Sequence, residues 1–280
     1  MNKYFIGILI FSFVLTLISC EESVIDPAEK IVSIASERPD HAGKPEIPQG
    51  LIPEGMVLWN KLEGVDEYGM VPSVVGPDGT VMGLVNFYND GKFGFGATPN
   101  QGFSNAAVSF DPNLLNPEAG TIELWTKIID SPKPYSYGVY GFANITYSPK
   151  KFPVHFYYHN PDVLVARIIF GGTRAVTYTL GFEPVPGQTV HLALVWDRSG
   201  IEDSDETIHI YVDGEKVAMS KLTWWGEDSS GNLLIGTAWD NNYVDDHFVV
   251  DNIKIFDHAR TSFSMDEMTV DLPKVPPGLQ

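Results

Sequence analysis

Between about residue 54 and residue 270, apolar and polar positions alternate, and no stretch sustains the 3.6-residue apolar period of a helix. In residues 121–128, Ile122, Leu124 and Ile128 fall on one side and Glu123, Trp125 and Lys127 on the other. Leu192, Leu194 and Trp196 share a face in residues 190–197. Ile208, Ile210 and Val212 do the same in residues 207–212, where Asp213-Gly214 predicts a tight hairpin turn back into residues 217–219. Further strand-like runs occupy residues 56–58, 103–110, 138–146, 154–159, 164–170, 175–180, 233–236 and 247–256. A dozen short strands without intervening helices predict an all-β, two-sheet antiparallel sandwich. The 26 glycines and 20 prolines suit the many turns this requires.

The N-terminal end is built differently. Met1-Asn2-Lys3 gives a short cationic start, and residues 4–18 form an apolar run of signal-peptide length, shorter than the ~20 residues of a membrane span. The run ends in Leu17-Ile18-Ser19-Cys20, which resembles the lipobox of bacterial lipoproteins, and Cys20 is the chain's one cysteine. The resemblance implies cleavage of a signal peptide at residues 1–19 and acylation of the Cys20 thiol. Two or three acyl chains, at ~0.8 kcal/mol per buried methylene, hold a folded domain at a bilayer. Glu21-Glu22 resembles the acidic export signal of Bacteroidetes-type lipoproteins, implying an outer-membrane protein displayed at the cell surface. Residues 20–53 carry Pro27, Pro39, Pro45, Pro48 and Pro53 and read as an extended tether. Residues 271–280 read as an irregular tail, leaving 54–270 as the folded domain.

Six runs of that domain resemble, in order, a concanavalin A-like, laminin G-like jelly roll. They are Gly91-Lys92-Phe93-Gly94 with residues 108–111, Gly120 to Trp125, Val190 to Asp197, Ile208 to Gly214, Leu234 to Gly236 and Asp251 to Asp257. The sequence departs from the family pattern at Val190, where Trp is usual, and at Val249, where Gly is usual. The matched residues read as scaffold: Trp125 and Trp196 as packing, Asp251 as an anchor of the closing strand.

Net charge is −18, and cleavage would remove only Lys3, leaving −19. So acidic a surface, with no basic stripe, excludes a nucleic-acid partner. Related laminarinase-type enzymes carry Glu-x-Asp-x-x-Glu or Glu-x-Asp-x-Glu on one strand, and neither pattern occurs; Glu123 is alone on its strand. Gly91 to Gly96 lacks the Gly-Lys-Ser/Thr ending of a phosphate loop. His155 and His159 would be ~13 Å apart on a strand, too far for one metal ion. No catalytic residue is therefore expected, and the chain reads as a non-enzyme.

Two acidic loops carry oxygen-rich clusters. Residues 197–206 hold Asp197, Glu202, Asp203, Asp205 and Glu206. In residues 239–246, Asp240, Asn242, Asp245 and Asp246 are candidate calcium ligands, because many laminin G-like domains bind calcium at the rim. Calcium is the one cofactor this reading admits. The second loop also mixes residues that hold sugars: Trp239 and Tyr243 as aromatic platforms, with Asp240, Asn241 and Asn242 as hydroxyl partners. Trp225 is a second candidate platform, because in an extended Trp224-Trp225 pair at most one ring enters the core. Tyr135, Tyr137 and Tyr140 form a third aromatic set. The expected function is ligand binding, most directly of an extracellular glycan. A structural or adhesion module that binds protein, and a glycoside hydrolase with an unrecognised acid pair, stay open as alternatives.

Overall fold

The structure is a computed structural model describing residues 52–99, 106–129, 139–145, 154–159, 163–170, 173–179, 182, 185–224, 232–236, 248–264 and 268. The first strand among the described residues is β1 (Met56–Asn60), followed by the short strands β2 (Met70–Val71), β3 (Ser73–Val75), β4 (Gly79–Met82), β5 (Val85–Tyr88) and β6 (Gly96–Pro99). Next come β7 (Ala107–Phe110), a 3-10 turn at Pro112–Leu114, and β8 (Ala119–Ile128). A run of four strands follows: β9 (Val139–Ile145), β10 (Val154–His159), β11 (Val163–Phe170) and β12 (Thr173–Thr179). The last five are β13 (Thr189–Asp197), β14 (Ile208–Val212), β15 (Glu215–Ser220), β16 (Leu233–Ile235) and β17 (Phe248–Phe256).

These strands form two antiparallel sheets, the jelly-roll sandwich that the alternation predicts. One is nine-stranded, in the order β15-β14-β13-β8-β17-β1-β3, with the β5–β6 hairpin attached beside β17. The other is eight-stranded, in the order β12-β11-β10-β9-β16-β7-β4-β2. Five of the strands, β2 to β6, were not predicted: each spans four residues or fewer between glycines and prolines, too few for alternation to register.

Between the sheets lies one apolar core. The nine-stranded sheet contributes Ile122, Leu124, Leu192, Leu194, Trp196, Ile208, Ile210, Val250, Ile253 and Ile255, and the other contributes Val108, Phe110, Phe156, Ala166, Leu233 and Ile235. Trp196, fully buried, lies over Gly120, its cross-strand partner. A Cβ on residue 120 would stand 2.3 Å from the indole, so a glycine is required there. The Asp213-Gly214 turn forms as expected, with φ of 49° and 82°. Asp213 also accepts a hydrogen bond from the His191 backbone N–H at 2.8 Å, closing the start of β13.

Strand β17 changes phase in its middle. Phe248 and Val250 face the core before Asn252, Ile253 and Ile255 after it. A bulge between Asp251 and Lys254 absorbs the extra residue, with Asn252 at φ 52°. Asn252 Oδ1 accepts from the Trp59 indole N–H, fixing the bulge. The phase change puts both Asp251 and Lys254 on the outer face of the nine-stranded sheet.

Candidate functional site

The sequence-predicted ligand residues Trp225, Trp239, Asp240, Asn241, Asn242 and Tyr243 lie outside the described residues, as do the calcium candidates Asp245 and Asp246. Cys20 and tether residues 21–51 lie outside them too, with Tyr135 and Tyr137; Tyr140 falls in β9. The described flanks still constrain the arrangement. Trp224 is buried, and its indole N–H donates to the Pro117 carbonyl at 2.7 Å, beside the start of β8. Trp224 thus takes the core position of the Trp224-Trp225 pair. The chain resumes at β16, which runs from Leu233 opposite Phe110 to Ile235 opposite Val108. After the next segment it resumes at Phe248, paired with Ile128 at the far end of β8. Ten residues of β8 span roughly 30 Å. Trp224 and Phe248 therefore lie at opposite ends of β8.

The acidic loop at 197–206 is fully described, and four of its five carboxylates meet neighbouring groups. Asp197 accepts from the Ser199 backbone N–H at 2.8 Å and its hydroxyl at 2.6 Å. The Lys221 ammonium donates to Asp205 at 2.7 Å and, by that hydrogen bond and its charge, lowers the Asp205 carboxyl below the usual range. Glu206 meets His209 Nε2 at 2.9 Å and Lys216 at 3.9 Å, and Lys216 is also 3.9 Å from Glu202. No three His, Cys, Asp or Glu side chains among the described residues form a group suited to a metal ion. His155 and His159 lie on the extended strand β10, as their spacing required.

A polar centre that strand-by-strand reading missed lies on the outer face of the nine-stranded sheet. Glu123 stands alone on β8, but the fold surrounds it with basic side chains. Its Oε1 is 3.1 Å from an Arg260 guanidinium nitrogen and 3.9 Å from Lys254 Nζ, and its Oε2 is 3.4 Å from His191 Nε2. Burial pushes the Glu123 carboxyl up, but the His191 contact and the charges of Lys254, His191 and Arg260 outweigh it and hold the carboxyl below its ordinary range. Phe263 and Met268 close over this face with Trp125, Ala193, Val195, Ile201 and Tyr211. The Trp125 indole N–H donates to the Met268 carbonyl at 3.0 Å. Trp125 and Trp196 are both packing residues, on opposite faces of the same sheet. Neither is a sugar platform.

The other cover of this face is the tip between β5 and β6. Asp251, 2% exposed, accepts from the Phe93 backbone N–H at 2.9 Å, the anchoring role its position suggested. Phe93 meets Trp125 edge-on at 6.0 Å, Lys92 Nζ sits 4.4 Å from the centre of the Trp125 ring, and Asp90 pairs with Lys127. The departure at Val249 has a local counterpart: its Cγ1 stands 2.4 Å from where a Cβ on residue 96 would lie, so Gly96 makes the room that Val249 fills. The first half of the tip motif is thereby tied to the closing strand, roughly 160 residues later in sequence, a pairing that sequence order alone does not show.

No curated protein matches this sequence. Among solved structures, the chain resembles domain 4 of the arabinanase AbnA from Geobacillus stearothermophilus, a structure in complex with arabinotriose. The TM-score is 0.51 at 16% identity, covering 76% of this chain and 96% of that one. A Trypanosoma rangeli sialidase mutant displaying trans-sialidase activity matches with TM-score 0.52 at 15% identity, over 87% of this chain and 39% of that one. The botulinum neurotoxin serotype G binding domain matches with TM-score 0.52 at 14% identity, over 73% of this chain and 48% of that one. This chain thus corresponds to less than half of the latter two proteins, and at these identities the likeness is one of fold. Residues 79–263 match the family described as the concanavalin A-like lectin/glucanases superfamily, and with its two-sheet jelly roll the chain belongs to that family.

Proposed function

We propose that this protein is a non-catalytic glycan-binding lipoprotein, held at the outer membrane through acylated Cys20 with its jelly roll displayed at the cell surface. The observation that carries the non-catalytic part is Glu123: the carboxylate at the middle of a sheet strand is sealed beneath Arg260 and Phe263 and kept ionised by its contacts with His191, Lys254 and Arg260. A glycosidase acid needs the reverse, an accessible carboxyl with a raised pKa and a second carboxyl at a set separation. Glycan as the ligand is supported by the superfamily and by the arabinotriose held in a similar domain.

The test uses the full chain in detergent. Migration through gels containing laminarin, arabinan, xylan or galactomannan is expected to be retarded by at least one of them, with no release of reducing ends on incubation. Release of reducing ends would refute the non-catalytic reading. For the anchor, labelled palmitate fed to the producing cells is expected in the wild-type protein and absent from Cys20→Ser. Equal labelling, or none in either, would refute acylation at Cys20.

A further inference from the structure

Two aromatic rings stand out among the described residues by being exposed, Tyr88 at 46% and Phe95 at 39%. By contrast Trp59, Phe110, Trp125, Trp196, Trp224 and Phe256 are all exposed by 3% or less. Both exposed rings flank the same hairpin tip. Tyr88 ends β5, and Phe95 immediately precedes Gly96, the cross-strand partner of Tyr88. Burying either ring would gain the chain apolar contact, and the sheet beside them is otherwise covered. The fold instead fastens the tip from beneath and leaves these two outside.

The fastening is extensive. Gly91 N–H donates to the Gly94 carbonyl at 2.8 Å, closing the turn. Asp251 holds Phe93 N–H, Phe93 and Lys92 pack on Trp125, and Asp90 pairs with Lys127. A Cβ at residue 91 would meet Asp251 Oδ2 at 2.7 Å, so the tip sits directly against its anchor. Tyr88 and Phe95 are therefore mounted on a rigid support, and little ordering entropy remains to be lost when a ligand lands on them. Asn89 and Asp90 lie exposed between them, an amide and a carboxylate beside two rings. That is the chemistry that holds a sugar, whose C–H faces stack on aromatic rings while amides and carboxylates take its hydroxyls.

We infer that the β5–β6 tip, through Tyr88, Phe95, Asn89 and Asp90, is a binding subsite for neutral polysaccharide. This rests on the glycan-binding reading above and assigns it a surface. Neutrality follows from charge balance: at the tip Asp90 pairs with Lys127, and the remaining two charges, Lys92 over Trp125 and Asp251 against Phe93 N–H, cancel in sum. With no net positive charge at the tip and −18 on the chain, an anionic glycan gains no net attraction there.

The same affinity gels test the inference, with polygalacturonate as the anionic probe. Tyr88→Ala and Phe95→Ala are each expected to weaken retardation about tenfold, at unchanged melting temperature and equally in low and high salt. Met219→Ala, an exposed residue on the opposite edge strand β15, is expected to leave it unchanged. Undiminished retardation of a Tyr88→Ala/Phe95→Ala double variant would overturn this subsite while leaving glycan binding in place. Retardation by polygalacturonate alone, or strong weakening by salt, would overturn its neutral specificity. If none of the polysaccharides retards the wild-type chain, the subsite and the glycan-binding reading fall together.

Discussion

The two faces of the nine-stranded sheet are both buried, but by different chemistry. The inner face is apolar, from Ile122 and Leu124 through Leu192, Leu194 and Trp196 to Ile253 and Ile255. The outer face carries Glu123, His191, His209, Asp251 and Lys254 beside Trp125, Val195 and Tyr211, all at 5% exposure or less. An antiparallel sheet in a sandwich commonly leaves its outer face to solvent. Here that face is roofed by the 88–95 tip from one side and by Ala259, Arg260, Phe263 and Met268 from the other. The inner face is held by area, which is insensitive to the identity of any one partner. The outer face is held by matched charges, whose desolvation nearly offsets their attraction, so it adds specificity of docking more than net stability.

The largest effects separate these two kinds of burial. Trp196→Ala is expected to cost about 3–5 kcal/mol in chemical denaturation, because it opens a cavity over Gly120 that no neighbour can fill. Glu123→Ala is expected to cost a comparable ~3 kcal/mol, but for another reason: it strands Arg260, Lys254 and His191 beneath their roof. A triple Glu123→Leu/Lys254→Met/Arg260→Leu variant is expected to recover most of that loss. No recovery would mean that the charges stabilise outright, and the contrast between the faces would fail.

A smaller effect is the pH response, which within the sheet belongs to the outer face. Glu123 ionises more readily in the fold than at the ordinary 4.5, so the unfolded chain takes up the extra proton first and stability falls as pH drops through and below 4.5. Burial also lowers His209 from 6.5, against the opposing pull of Glu206. The folded state then resists protonation, and stability begins to fall as pH drops below 6.5. In the alkaline direction, burial and then the charges of Glu202 and Glu206 push Tyr211 up to about 12, so stability is lost as pH rises from 10 towards 12. Melting temperatures of His209→Gln and Tyr211→Phe across these ranges are expected to flatten the first acid step and the alkaline limb, respectively. Trp196→Phe is expected to shift the whole curve without changing its shape. An unaltered profile in His209→Gln and Tyr211→Phe would remove the electrostatic distinction between the faces.

Alternation made the long strands legible, because a period of two over five or more residues is hard to mimic. It located β8, β13, β14 and β17 and assigned Leu192, Leu194 and Trp196 to one face. It did not register β2 to β6, which are too short, nor the roof over Trp125, since a residue pointing away from one core can enter another. The phase change from Val250 to Ile253 was written in the sequence, but its use, bringing Asp251 and Lys254 to the same face, was visible only once β1 and β8 stood beside β17. The candidate site divides the same way. Aromatic loops could be picked from composition near Trp225 and Trp239, whereas Tyr88 and Phe95 looked ordinary until most of the other described rings were seen to be buried.

By itself the sequence determined the fold class, the hairpin at Asp213-Gly214, the packing role of Trp196 and the anchoring role of Asp251, because each follows from local geometry that a few neighbouring residues impose. Only the tertiary structure decided which carboxylate is sealed among basic side chains, and which of the described rings remain outside. Those depend on contacts between residues more than a hundred positions apart, such as Phe93 with Asp251 or Glu123 with Arg260, and no local pattern encodes them.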